Sequence, residues 1–352
     1  MNDSIPTIKV MSANCTCPEN LFNTWSGLME KYLIPIIGCL GLLGNLTAIF
    51  ILRCPQLKST FHQSLLTLAI CDILFLFFIL ADIVIDMQNV IYIYTFPYFW
   101  NPLKNIVMSW ETFLIMSIAT ERFLAVCRPL LYRKHKLRTS SFIHLLTFIL
   151  PGLLFAFLIN IPKFFEVELV REQDKIDFRA TQLRMDENYI FYYTHWTRLL
   201  VTGVIPILYL VITNTIIIIK IREGRTVSFK LRHNTQQSLR YSGRCLRAPA
   251  VLKPTSTYLG LTLTAIVLVY LICNLPRLVL NLVEYQLISQ IYKLDKCGCS
   301  LAPWWISSLI RSSHLLLTIN SSVNFLIYIS FSKRFKKVLK IKMQCLFSKF
   351  NC

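Results

Sequence analysis

The chain is 352 residues long, 55% hydrophobic and 16% charged, with a formal net charge of +19. Soluble domains carry about 25% charged residues, so this balance excludes an ordinary soluble globule, and 10 glycines and 14 prolines are too few for low-complexity or fibrous sequence. The basic excess raises nucleic-acid binding, but apolar runs divide the basic stretches and no aromatic platform is interleaved with them, which excludes that class.

Residues 1–32 form a polar tail with glycosylation sequons at Asn2 and Asn14. The tail lacks a basic start leading into an apolar core, so no cleavable signal peptide is expected and the first helix serves as the insertion signal. Leu33–Leu52 carries no charge over the length needed to cross a bilayer. Ser64–Met87 is the second predicted span and Pro102–Cys127 the third, although Lys104 and Glu111 depress its hydropathy. Phe142–Ile161, Leu199–Ile219, Tyr258–Val283 and Trp304–Tyr328 complete the set. Phe331–Gln344 follows as a basic stretch with Phe335, Leu339 and Met343 on one face, a pattern that lies on a membrane. The expected fold is an all-α membrane protein, a seven-transmembrane helix bundle with a short amphipathic eighth helix. Its parts are an extracellular tail (1–32), the transmembrane domain (33–330, with a long basic third cytoplasmic loop at 220–257) and a cytoplasmic end (331–352).

Charge sets the expected orientation. Arg53 and Lys58 follow the first span; Arg128, Arg133, Lys134, Lys136 and Arg138 follow the third; Lys220 to Lys253 and the tail from Lys333 are basic as well. The segment Lys163–Arg198 instead holds Glu166, Glu168, Glu172, Asp174, Asp177, Asp186 and Glu187. Basic loops stay cytoplasmic, which puts the N-terminus outside and the tail inside, with most of the basic charge in contact with anionic lipid.

Several motifs occur in a fixed order. Gly44-Asn45 lies in the first span, Leu68-Ala69-Ile70-Cys71-Asp72 in the second, and Glu121-Arg122-Phe123 closes the third. Pro206 interrupts the fifth, Cys273-Asn274-Leu275-Pro276 the sixth, and Asn324-Phe325-Leu326-Ile327-Tyr328 ends the seventh. Over nearly the whole chain this order resembles rhodopsin-like (class A) G-protein-coupled receptors. Asn160-Ile161-Pro162-Lys163-Phe164-Phe165-Glu166, Cys273-Asn274-Leu275-Pro276-Arg277 and Asn320-Ser321-Ser322-Val323-Asn324-Phe325 resemble invertebrate FMRFamide-type neuropeptide receptors. Two departures stand out: Asn274 replaces the family's tryptophan and Phe325 its seventh-helix proline. Phe325 keeps a backbone donor, so a weaker kink is expected there.

The resemblance implies a plasma-membrane receptor, not an enzyme. It would bind an extracellular ligand, a short amidated (RFamide-type) neuropeptide, and activate a heterotrimeric G protein, with arrestin as a further partner. The alternatives are an orphan chemosensory or other neuropeptide receptor and, against the lack of internal repeats, a transporter or channel. Glu121 would restrain Arg122 at rest, Leu130 would insert into the G protein, and Pro276, Asn324 and Tyr328 would move with the switch. No acid stands at the base of the sixth span, Lys253–Tyr258, to clamp Arg122 a second time. Asp72, Glu111, Asn320, Ser321 and Asn324, with Asn45, match the positions that hold an allosteric sodium ion in the family; oxygen donors suit such a hard cation, and a water network is the alternative. No other cofactor is expected. For a cationic, aromatic peptide end the expected lining is Asp82, Asp86, Lys104, Arg277, Glu284, Arg311 and His314, with Glu284 capping the sixth helix and the acidic loop Glu166–Glu187 steering the peptide in. Each acid has a plainer reading as the ion-pair partner of Lys104, Arg277 or Arg311.

Most of the family ties the third helix to the second outer loop by a disulfide. No cysteine lies between Cys71 and Cys127, or between Cys127 and Cys245, so that bond cannot form. Cys15, Cys17, Cys297 and Cys299 are expected outside, where one or two bridges would staple the tail to the last loop; the pairing stays open, and a four-thiol metal site is the alternative. Cys345 is a palmitoylation candidate with an unmodified thiol as its alternative, and Cys352 a weaker one.

Overall fold

The apolar runs form helices because backbone in hydrocarbon must satisfy its N–H and C=O groups within its own segment. A computed structural model describes residues 27–57, 59–85, 90–138, 140–172, 175–241, 254–296 and 304–350. The first helix, Ile34–Leu52, is entered through a π-helical turn, Met29–Leu33. The second is Thr60–Val84, the third Asn101–Cys127 and the fourth Ser141–Asn160. The fifth, Ile205–Tyr241, continues π-helical turns at Ile190–Thr197 and Leu199–Val204. The sixth is Pro254–Lys296, the seventh Trp304–Phe331, and a terminal helix, Lys333–Phe350, follows Ser332.

Six of the described stretches are long and apolar enough to cross a membrane, and the third helix is the seventh member of the bundle. Ser109, Glu111, Thr112, Ser117 and Thr120 dilute its hydropathy. It nevertheless packs against the second, fourth, fifth and sixth helices, so its polar face meets protein rather than lipid. Leu40, Leu43 and Phe50 of the first helix and Leu208, Ile212 and Ile219 of the fifth point outward, as a lipid surround demands. At Gly41 a Cβ would come within 2.1 Å of the Ser322 hydroxyl and 2.9 Å of Leu76, so only glycine lets the first, second and seventh helices approach this closely.

Several boundaries depart from expectation. The first helix begins early enough to carry Glu30, which composition assigns to the tail. The second starts at Thr60 because Ser59 caps it, its hydroxyl accepting from the His62 backbone N–H. The sixth runs on to Lys296, so Glu284 sits within the helix and does not cap it; neither glycine nor proline stops the chain before Gly298. The fifth extends to Tyr241, with no proline between Pro206 and Pro249. A two-stranded antiparallel hairpin, β1 (Val167–Glu172) and β2 (Lys175–Ala180), adds a sheet to a chain expected to be wholly helical. Its signal is legible in hindsight: Ile176, Phe178 and Ala180 alternate with Asp177 and Arg179, and Leu169 pairs with Phe178.

Candidate functional site

At the basic end, Arg122 closes the third helix. Its Nη2 donates to Glu121 Oε1 at 2.7 Å, and the Tyr132 hydroxyl donates to the same oxygen at 2.8 Å. Glu121 is fully buried and Arg122 is 8% exposed, its guanidinium lying 4.5 Å from the Phe61 ring centre. Burial and then the Glu121 charge push the Tyr132 hydroxyl up to about 12, so it stays a donor at cellular pH. Glu121 Oε2 and Arg122 Nε have no hydrogen-bond partner among the described residues, so the clamp is incomplete. Tyr132 and Phe61 were not singled out in the sequence. The missed signal is Pro129, which starts a short helix, Pro129–Arg138, that carries Tyr132 back to Glu121. Leu130, on the same helix, is 81% exposed and free to meet a partner. The base of the sixth helix lacks an acid, as expected, but it is tied another way: Lys333 Nζ sits 4.4 Å from the Tyr258 ring centre.

Halfway along the bundle the predicted polar residues do come together. Asn324 donates to Asp72 Oδ2 at 2.7 Å, Asn320 to Glu111 Oε1 at 2.5 Å, and Asn45 to the Ser321 carbonyl at 2.8 Å. The Ser321 hydroxyl is buried without a hydrogen-bond partner among the described residues. Asp72 Oδ1, Asn45 Oδ1 and the Tyr328 hydroxyl are buried without a hydrogen-bond partner among the described residues. These open oxygens, one of them on the Asp72 carboxylate, are a donor set that fits a small hard cation. No group of three or more His, Cys, Asp or Glu side chains converges among the described residues, so a transition-metal site has no counterpart here. Tyr328 and Phe325 both pack on Phe335 of the terminal helix, 5.7 and 6.1 Å between ring centres. Asn274 turns back on its own helix and donates to the Tyr270 carbonyl at 2.9 Å, while Tyr270 reaches Thr112 at 3.0 Å. Pro276 lies inside the sixth helix, just beyond this contact.

The hairpin end opens into a cavity of about 220 Å³ lined by Glu30, Asp82, Tyr92, Phe96, Lys104, Arg311 and His314, among others. Asp82 is ion-paired with Lys104 and accepts a bond from Tyr92 at 3.0 Å; Arg311 is ion-paired with Glu30. The plainer reading of Asp82 therefore holds in this state, and Arg311 takes an acid the sequence reading left out. Arg277, next to Pro276 in the sixth helix, is not among the residues that line this cavity. Asp86, Asn2, Asn14, Cys15, Cys17, Cys297, Cys299 and Cys352 lie outside the described residues, as do the side chains of Glu284 and Cys345.

Glu166 itself takes no part in the steering expected of the acidic loop. It is 1% exposed, and its carboxylate accepts four bonds: from Lys163 at 2.7 and 2.8 Å, Arg184 at 2.5 Å and Tyr189 at 2.8 Å. Burial alone raises its pKa, but Lys163 and Arg184 more than reverse that and hold the carboxyl below its ordinary range. It is a structural ion and offers no free charge to an approaching peptide.

Residues 44–328 match the profile of the 7 transmembrane receptor (rhodopsin family). The chain belongs to that family. Among the receptor's relatives, the FMRFamide receptor of Drosophila melanogaster is 29% identical over 325 residues, which span 87% of this chain and 52% of that protein. A Caenorhabditis elegans protein named probable G-protein coupled receptor frpr-1 is 24% identical over 340 residues, 88% of this chain and 77% of its own. A mouse protein named Mas-related G-protein coupled receptor member A1 is 28% identical over 114 residues, 32% of this chain and 38% of its own. The receptor thus spans about half the length of the fly relative.

Proposed function

We propose that a short amidated peptide of the Arg-Phe-amide type activates this receptor at its hairpin end, and that the receptor then catalyses nucleotide exchange on a heterotrimeric G protein at its basic end. The hairpin end faces the cell exterior in this reading, since the basic loops and tail stay cytoplasmic. The observation that carries the ligand class is the cavity, where Asp82 and Lys104 form an ion pair that a peptide guanidinium can exchange into. An arginine fork binds a carboxylate through two hydrogen bonds where a lysine offers a point charge, which favours the exchange. The name of the fly relative supports the same class. A calcium or cyclic-nucleotide response screen against amidated peptides tests it. The expected result is a response that loses at least about tenfold in potency in Asp82→Asn, from the lost charge-assisted bonds. A surface-expressed receptor silent to every Arg-Phe-amide peptide overturns the ligand class.

A second reading, another neuropeptide or a chemosensory ligand, draws on the neutralisation of Asp82 and Glu30 by Lys104 and Arg311. Response to a non-amidated or anionic ligand in the same screen is its signature.

Asp72, Glu111, Asn320, Ser321 and Asn324 would hold a sodium ion in the resting bundle, where its charge offsets the crowding of two carboxylates. Agonist affinity is expected to fall as sodium rises, and Asp72→Asn to abolish that dependence. Equal sodium sensitivity in the two proteins, or none in either, leaves the cluster as a water network.

A further inference from the structure

No cysteine lies between Cys127 and Cys245, so nothing covalent fastens the β1–β2 hairpin to the bundle. The hairpin is nonetheless fixed at its base. Lys163, in the 3-10 turn Ile161–Phe165, and Glu166, just before β1, are 3% and 1% exposed. Arg184 and Tyr189, beyond β2, return to the same carboxylate. An ionised carboxylate offers about four acceptor sites, and all four are taken up here. The Thr181 N–H donates to the Glu166 carbonyl at 3.1 Å and the Thr181 hydroxyl to the Phe165 carbonyl at 2.6 Å, closing the base of the hairpin. Tyr189 stacks on Tyr193 with ring centres 4.9 Å apart, and Tyr193 donates to the Ile159 carbonyl at 2.7 Å, tying the cluster to the end of the fourth helix.

The position of this cluster matters for the cavity. Strand β1 packs against the Phe96–Trp100 turn, and Phe96 lines the cavity beside Tyr92 and Lys104. Displacing β1 therefore moves a wall of the cavity, although none of the four residues lines it. Because Lys163 and Glu166 at its centre are buried, their attraction is little screened by salt, while Arg184 and Tyr189 close over them from the partly exposed side.

We propose that Lys163, Glu166, Arg184 and Tyr189 form a buried ionic staple that positions the hairpin and, through the Phe96–Trp100 turn, sets the affinity of the outer cavity for its ligand. They are positioning residues; the affinity part rests on the cavity being the ligand site. The test uses full-length receptor and two mild variants, Tyr189→Phe and Arg184→Met, which leave the buried Lys163–Glu166 pair intact. Phe-Met-Arg-Phe-amide is the probe, at matched surface density, and hydrogen exchange of the purified receptor is measured in parallel. The EC50 should rise about three- to tenfold in each variant, with the maximal response unchanged, faster amide exchange across Val167–Ala180, and recovery in Arg184→Lys. Unchanged hairpin exchange in both variants and in their double mutant overturns the staple. Faster exchange with an unchanged EC50 overturns its link to the cavity. If the probe fails to activate the unmodified receptor, the ligand class falls instead, and exchange at Phe96–Trp100 decides: acceleration there supports the link and no change refutes it.

Discussion

Glu121→Gln is expected to raise basal signalling about 2- to 30-fold at equal surface expression. The variant keeps an oxygen where Glu121 accepts from Arg122 and Tyr132, so shape and burial are preserved and only the charge is lost. A hydrogen bond to a charged group contributes about 1.5–3 kcal/mol against about 1 for a neutral one, so about 0.5–2 kcal/mol of restraint disappears. At about 1.4 kcal/mol per tenfold, that is the stated shift, provided the contact is made only at rest. Tyr132→Phe removes one of the two bonds and should raise basal activity by a smaller factor. The Lys333–Tyr258 contact remains in both variants, which is why full activation is not expected. Unchanged basal signalling in Glu121→Gln would remove Glu121 from the switch.

Glu166→Ala should have the largest effect on folding. It leaves the Lys163 ammonium, 3% exposed, without its carboxylate, and removing one partner of a buried ion pair costs about 3–5 kcal/mol against a typical total stability of about 5–15. Surface expression should collapse and the apparent melting temperature fall. Lys163→Met combined with Glu166→Ala should recover part of the loss, because the buried ammonium is then gone and Arg184, about a third exposed, can turn to water. The comparison is read by thermal melting in detergent and by cell-surface labelling. A double variant no better than Glu166→Ala alone contradicts the stranded-charge account.

Much of the architecture was legible because membrane crossing writes itself as uncharged length, and Leu33–Leu52 reads without ambiguity. The third helix was legible only as a weaker span, closed by its motif; its polar positions hide in the bundle, where hydropathy does not look. That Asp72, Glu111, Asn320 and Asn324 would lie together was legible through the family resemblance; which of them bond, Asn324 to Asp72 and Asn320 to Glu111, was not. What failed shares one cause. Tyr132 meets Glu121, Lys333 meets Tyr258 and Arg184 meets Glu166 across turns whose path was not read from the sequence, although Pro129 marked the first of them. Glu166 was read as one acid in an acidic loop because seven acids in a row of loop positions suggest solvent; its burial becomes visible only when Lys163, three residues before it, is seen folded onto it. Glu284 was misplaced for a simpler reason, the absence of any helix stop before Gly298.

The most direct test of the account is guanine-nucleotide exchange on purified heterotrimeric G proteins by membranes carrying this receptor, with and without Phe-Met-Arg-Phe-amide. The account predicts exchange that accelerates with the peptide, is elevated without it in Glu121→Gln, and is lost in Arg122→Ala while peptide binding persists. Exchange that stays at the level of empty membranes for every G-protein class, with the receptor at the surface and the peptide bound, would contradict it.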